Sequence, residues 1–208
     1  YDAGTVNVSV ITPTLSLGWG GSQVIGVGQW VDQYVTVPNT RTSPLTVNLT
    51  HLTSASATPA SAVIPNGTTI VYFRITGVSA GTDSITFAAA GHNGIVAGVS
   101  VGQGRVDGIG SWPGTLSTDS VQVTLYARDP SGNVRNVSSA TTFNLSVSSG
   151  ALEPRIGGSA VTSVTIPADG NQVSFWLRRL ANGSATVTFT NANYATHVSP
   201  VVTVTGAP

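Results

Sequence analysis

Cysteine is absent from the 208 residues, so neither disulfides nor thiolate metal sites can form. Charge is scarce: 8% of residues are Asp, Glu, Lys or Arg, against roughly 25% in an average soluble protein. Eight basic and eight acidic residues cancel. That removes the clustered Lys and Arg on which nucleic-acid binding depends, and with it the attraction to an anionic membrane surface. No apolar run approaches the roughly 18 residues of a membrane-spanning helix, so no membrane insertion is expected of this segment. Helical periodicity is almost missing. So are the common catalytic signatures: there is no G-x-S-x-G elbow, P-loop or pair of glutamates. "GVGQWV" and "GQGRVDGIG" contain glycines, but no helix follows either to cradle a phosphate. His51, His92 and His197 are scattered without metal-ligand spacing and read as exposed loop residues. The acids are equally sparse and read as ordinary turn aspartates. Asp107 and Asp119 lie near the middle of the chain, but no D-x-D cluster offers calcium its several oxygen ligands. The expectation is no enzyme, no cofactor and no metal.

What remains is β-structure. With 40% hydrophobic residues the chain can build real cores despite its 24 glycines. Short alternating runs of Val, Thr, Ile and Phe are separated by Gly, Pro, Asn and Asp, the pattern of an all-β sandwich. The clearest strands are "VQVTLYA" (121–127), "TTFNLSVS" (141–148), "SATVTFT" (184–190) and "PVVTVT" (200–205). "DPSGN" (129–133) is a turn: Asp129 caps it, Pro130 pre-sets φ, and Gly132 tolerates a positive φ.

The sequence also repeats itself. "IPNGTTIVYFRITGVSAGTDSITFAAAG" (64–91) lies on "IPADGNQVSFWLRRLANGSATVTFTNAN" (166–193) without a gap. Ile64 meets Ile166, Phe73 meets Phe175, Gly81 meets Gly183, and Phe87 meets Phe189. Upstream, "TVNLT" (46–50) matches "TFNLS" (142–146) once a short insertion in the second copy is allowed, and "GWGG" (18–21) sets Trp19 on Trp112. In each copy the run after "IP" buries alternate residues: Val71, Phe73 and Ile75, or Val173, Phe175 and Leu177. Each such Phe or Leu contributes roughly 1.5–3 kcal/mol when fully buried.

The stretch "VQVTLYARDPSGNVRNVSSATTFNLSVSSGAL" (121–152), with its Asp129–Asn133 turn and the late strand "NGSATVTF", resembles the bacterial immunoglobulin-like repeats of invasin/intimin-type adhesins and large repetitive surface proteins. The resemblance covers essentially all of copy two and the back two-thirds of copy one. It implies two tandem immunoglobulin-like β-sandwich domains at the cell surface or outside the cell. Copy one departs from the pattern at its front, where "QWVDQYVTVPNTRTSPLTV" has no Asp-x-x-Gly turn. The boundaries read as a strand at 1–12 resembling the closing strand of a preceding repeat, a first repeat at 13–103 and a second at 104–208. "YDAGTVNVSV" itself resembles "YATHVSPVVTV" (194–204), which suggests an excerpt of a longer repeat array, its first strand paired with copy one or a neighbour.

The functional expectations follow from the tandem. A Gly-rich joint at 102–110 allows a bend but not free tumbling, giving a rod-like structural segment of a surface or filament-forming protein. The alternative is an adhesin module that binds a host protein or carbohydrate through end loops. Self-association, end-to-end or lateral, or contact with neighbouring repeats would use Val6, Val8 and Val10 of the opening strand. The outward aromatics Tyr72 and Trp176, each close to an Arg, are the other candidates. Six Asn-x-Ser/Thr sequons occur. Two of them, at Asn48 and Asn144, occupy matching outward positions and are the candidates for glycosylation.

Overall fold

The computed structural model describes residues 11–108 and 112–206. Val6, Val8 and Val10 therefore lie outside the described residues. Copy one is built from β1 (Ser16–Leu17), β2 (Ser22–Gly26), β3 (Gln29–Thr36), β4 (Leu45–His51), β5 (Ser56–Ala57), β6 (Ser61–Ile64), β7 (Ile70–Gly77), β8 (Gly81–Ala89) and β9 (Ile95–Gly102). Copy two begins with β10 (Arg105–Asp107), β11 (Thr115–Leu116), β12 (Ser120–Arg128), β13 (Asn136–Val137), β14 (Thr141–Val147) and β15 (Leu152–Ile156). It continues with β16 (Ser159–Ala160), β17 (Ser163–Ile166), β18 (Gln172–Arg179), β19 (Gly183–Ala185), β20 (Val187–Asn191), β21 (Tyr194–Val198) and β22 (Val202–Val204).

In copy one the sheet β1-β3-β7-β5 faces the sheet β2-β9-β8-β4-β6. That is the strand arrangement of an immunoglobulin-like sandwich. The entering chain pairs antiparallel with β3 through β1, then crosses to run parallel to β9 as β2. Copy two repeats the plan: β10 joins β12 antiparallel and β11 joins β22 in parallel. Its second sheet is split into β17-β14-β20-β21 and β11-β22-β19. Pro200 explains the split in the closing strand, because it has no N–H to give to a ladder. Ser199 repairs the neighbouring gap, its buried hydroxyl accepting from Val187 N at 2.9 Å. The run 184–190 is likewise two strands, with Thr186 between them.

Alternation fills each sandwich as the sequence predicts. Phe73, Ile75, Ile85 and Phe87 are buried in one core, and Phe175, Leu177, Val187 and Phe189 in the other. Val71 and Val173 pack at the margins. The paired tryptophans confirm the repeat in three dimensions. Trp19 meets the rings of Phe73 and Phe87 edge-on at 5.8 and 6.0 Å, and Trp112 meets Phe175 and Phe189 at 6.4 and 5.9 Å. Such contacts add about 0.5–1.5 kcal/mol each beyond burial. Gly81 and Gly183 share one backbone conformation, with φ of 149° and 148°, which favours glycine at both turns.

Candidate interaction surfaces

The largest departure from the sequence reading is the joint between the copies. In copy one the short turn at Val27–Gly28 carries the chain from β2 in one sheet to β3 in the other, and it packs with the start of β3 against the loops at the near end of copy two. The loop at 129–140, longer than its counterpart at 37–44 in copy one, supplies the receiving wall. Its β13 pairs antiparallel with β3, setting Asn136 opposite Trp30 and Val137 opposite Gln29. Ser138 N then donates to Gly28 O at 2.8 Å. A strand of one sandwich is thereby an edge strand of the other.

Gln29 is the centre of this contact and is fully buried. Its Nε2 donates to Arg128 O at 2.9 Å and to Tyr194 Oη at 3.1 Å, while its Oε1 accepts from Gly26 N at 2.9 Å. Tyr194 is itself buried, with its ring 4.9 Å from that of Phe143. Burial pushes its hydroxyl pKa above the ordinary tyrosine value, and the Gln29 hydrogen bond partly offsets this. Gly104 has no room for a side chain, since a Cβ there would lie 2.6 Å from the Tyr194 ring and 3.0 Å from Gln29 Nε2. The linker glycine thus permits close packing, and the expected bend is replaced by a fixed contact.

A charged turn supports the wall. The Asp129 carboxylate, fully buried, accepts from Asn133 N at 3.0 Å, Asn133 Nδ2 at 3.0 Å and Arg135 Nε at 2.9 Å. Arg135 Nη2 continues across the joint to Val24 O at 3.4 Å. At the solvent edge Arg74 lies over the Trp30 ring, 3.3 Å from its centroid, and reaches Asp32 in its own copy and Asp169 in the other. These last ion pairs are exposed and contribute little, so the buried amide network dominates the joint.

The remaining sequence candidates fall on separate surfaces. Tyr72 is 66% exposed on the outer face of β7, opposite Tyr34 with ring centroids 5.5 Å apart. Trp176 is 44% exposed on the outer face of β18. It occupies the position that Arg74 holds in copy one. Asn48 and Asn144 are both exposed at mid-strand, flanked inward by Val47 and Leu49 or by Phe143 and Leu145. Asp107 and Asp119 do not converge: Asp107 pairs with Arg128 and Asp119 with Arg179. They stand at opposite ends of β12, on the order of 20 Å apart at about 3.3 Å per residue.

His51 and His197 lie on strands and not in the expected exposed loops, and Asp83 lies on β8 and not in a turn, whereas Asp129 caps its turn as the sequence predicts. His51 Nδ1 lies 2.7 Å from Asp83 Oδ2, and its Nε2 lies 2.8 Å from Thr58 Oγ1. Asp83 is buried and also accepts from Ser56 Oγ at 2.7 Å and Thr53 N at 3.0 Å. Burial alone would raise the Asp83 carboxyl. The hydrogen bonds from His51, Thr53 and Ser56 outweigh it and hold the group well below the usual carboxylate range. His197 is half-buried on β21 beside Asp107; burial lowers its pKa, and the carboxylate opposes that shift. Asp129 is the second buried acid. Among the described residues no group of three or more His, Asp or Glu side chains is placed to hold a metal ion.

No protein-family profile matches the chain, and no curated protein matches it. Among solved structures it is similar to domains 5–6 of the S-layer protein SbsC, at 16% identity over 93% of this chain and 100% of that one, with a TM-score of 0.37. It is similar to the D0-D1 domain of intimin at 12% identity, covering 90% of this chain and 95% of that one, with a TM-score of 0.35. It is also similar to the Yersinia pseudotuberculosis adhesin InvE at 14% identity, covering 93% of this chain and 58% of that one, with a TM-score of 0.39. The immunoglobulin-like assignment stands on the strand order of each copy.

Sequence reasoning missed Gln29, Tyr194, Arg135 and the His51–Asp83 pair. One signal for the joint was present. The loop at 129–140 is longer than its counterpart at 37–44, and a lengthened loop at one end of a repeat marks a place where something can be received.

Proposed function

We propose that the chain is a structural, non-catalytic segment of an extracellular bacterial surface or filament-forming protein, with repeats at 13–103 and 104–208. The observation that carries this reading is the joint: two sandwiches share a β-pairing and a buried, fully hydrogen-bonded glutamine. A pair held in this way keeps one end at a set distance from the other, which is what a spacer or wall element requires. The scarcity of charge and the Thr/Ser/Asn surface suit crowded association.

The joint itself is not a template for end-to-end growth. Aligning Phe73 with Phe175 sets Gln29 at Asp119, Gly28 at Thr118 and Gly77 at Arg179. Gly77 matters because a Cβ there would lie 2.3 Å from Gly26 O. Contacts between chains therefore belong on the lateral faces that carry Tyr72 and Trp176. Small-angle scattering of the native chain should give a single elongated envelope. Negative-stain microscopy at rising concentration should show lateral assemblies. Monodisperse particles at every concentration would sink the self-association half of the reading, and a Trp176→Ala chain that assembles normally would remove Trp176 from the contact. The adhesin alternative, expected from the sequence to bind through end loops, draws instead on one feature of the outer sheet face, a cleft beside Trp176.

A further inference from the structure

The outer face of copy two carries a cleft of about 340 Å³ lined by Asp119, Ser120, Arg155, Gly158, Trp176 and Arg178. Three strands build it. β18 supplies Trp176 and Arg178, β15 places Arg155 directly opposite Trp176, and the start of β12 supplies Ser120 opposite Arg178. Two of the lining charges are held in place: Asp119 by Arg179 at 2.9 Å and Arg155 by Glu153 at 3.1 Å. Among the described residues Arg178 makes no ion pair, and the guanidinium stacked on an aromatic ring is that of Arg74 in copy one. Copy one thus closes its cation and aromatic on each other. Copy two leaves an indole face and a guanidinium side by side and open to solvent.

We infer that this cleft binds a singly carboxylated saccharide unit, its pyranose ring against Trp176 and its carboxylate on Arg178 and Arg155. The indole offers a flat apolar face to the C–H side of a sugar ring. A guanidinium fork matches a carboxylate with two parallel hydrogen bonds. Ser120 and Asp119 stand at the same rim to take ring hydroxyls, and the Asp119 carboxylate can only accept. That residue also sets the limit on charge, since a polyanion such as an acidic peptide would bring a second negative group against it. The volume lies at the small end of ligand sites, suited to one or two rings. At Gly158 nothing lies within 4 Å of where a Cβ would stand, so the rim opens for a chain to continue outward. This binding goes beyond the spacer reading and rests only on the adhesin alternative.

The test is a titration of the full chain with glucuronate, glucose, acetate and an oligoglutamate peptide, followed by the indole N–H signals in NMR. A Trp176→Phe chain assigns the Trp176 signal. Saturable movement of that signal with glucuronate is expected, with glucose and acetate each weaker by about tenfold or more. Arg178→Gln should bring glucuronate down to the level of glucose, and Trp176→Ala should abolish the response. Equal binding of glucose and glucuronate, no saturable shift, or tighter binding of the peptide would each overturn the inference. The Ser138 amide, which crosses the joint, reports folding in every variant. Lost binding with that amide still protected removes the saccharide site and leaves the spacer reading standing.

Discussion

Replacing Gln29 with Ala puts the joint to its hardest test. The side chain serves three groups, the buried Gly26 N–H and Tyr194 hydroxyl and the part-buried Arg128 C=O. A buried polar group stripped of its partner costs about 1–3 kcal/mol, and rehydration of the opened site recovers part of that. Taking the lower end for each group gives roughly 3 kcal/mol, two-thirds of it falling on bonds that cross between copies. The Ser138 N–H donates to Gly28 O across the same joint at 2.8 Å, so its hydrogen exchange reads local opening directly. A loss of about 2 kcal/mol there corresponds to exchange faster by roughly 30-fold. Core amides such as those of Val123 and Phe175 should keep their protection. Crossing the substitution with Tyr194→Phe isolates one bond, with an expected coupling of about 0.5–1.5 kcal/mol. Unchanged Ser138 exchange, or strict additivity in that cycle, would refute the idea that Gln29 locks the two sandwiches.

Asp83→Asn should destabilise copy one by about 3 kcal/mol in urea unfolding, because it breaks a buried pair and leaves His51 without its carboxylate. The folded Asp83 carboxyl is held far below the ~3.9 of an unfolded aspartate. Its stabilisation is therefore complete above that pH and disappears only as pH falls through the depressed folded value; melts from neutral to strongly acid pH should show this loss in the native chain and not in Asp83→Asn. Tyr194 is shifted the other way. Its contribution is full below the ~10 of a free tyrosine and drains away as pH rises through the elevated folded value, with ultraviolet absorbance of tyrosinate as the monitor and Tyr194→Phe as the control. Phe87→Ala and Phe189→Ala, both at fully buried positions, should each cost about 3–5 kcal/mol, with the first raising amide exchange in copy one and the second in copy two.

The parts of this molecule that sequence makes legible are those governed by local parity. Phe73, Ile75, Phe175 and Leu177 announce themselves because a strand buries every second residue, and the repeat then carries Trp19 onto Trp112. The same parity turned Tyr72, Trp176, Asn48 and Asn144 outward. Gln29 escapes such reasoning. It sits in a polar-looking turn, and only the arrival of a second sandwich buries it. His51 and Asp83 are brought together by neighbouring strands β4 and β8, which set His51 opposite Ile85, two residues from Asp83. The Trp176 cleft needs Arg155 and Asp119 from other strands. Outward placement was readable there, but concavity was not.

The parallel seams that close the two sandwiches have a mechanical meaning. β2 lies along β9 over five residue pairs, whereas β11 lies along β22 over two. A pull on the chain drags the entering and leaving strands of a sandwich in opposite directions. Parallel strands loaded in that way must slide past each other, so their cross-bonds resist together and do not unzip in turn. Copy one therefore has the stronger clamp, and copy two is the part that yields first under tension. Its roughly 100 residues, drawn out at 3.3–3.6 Å each, would release on the order of 300 Å of slack while copy one holds.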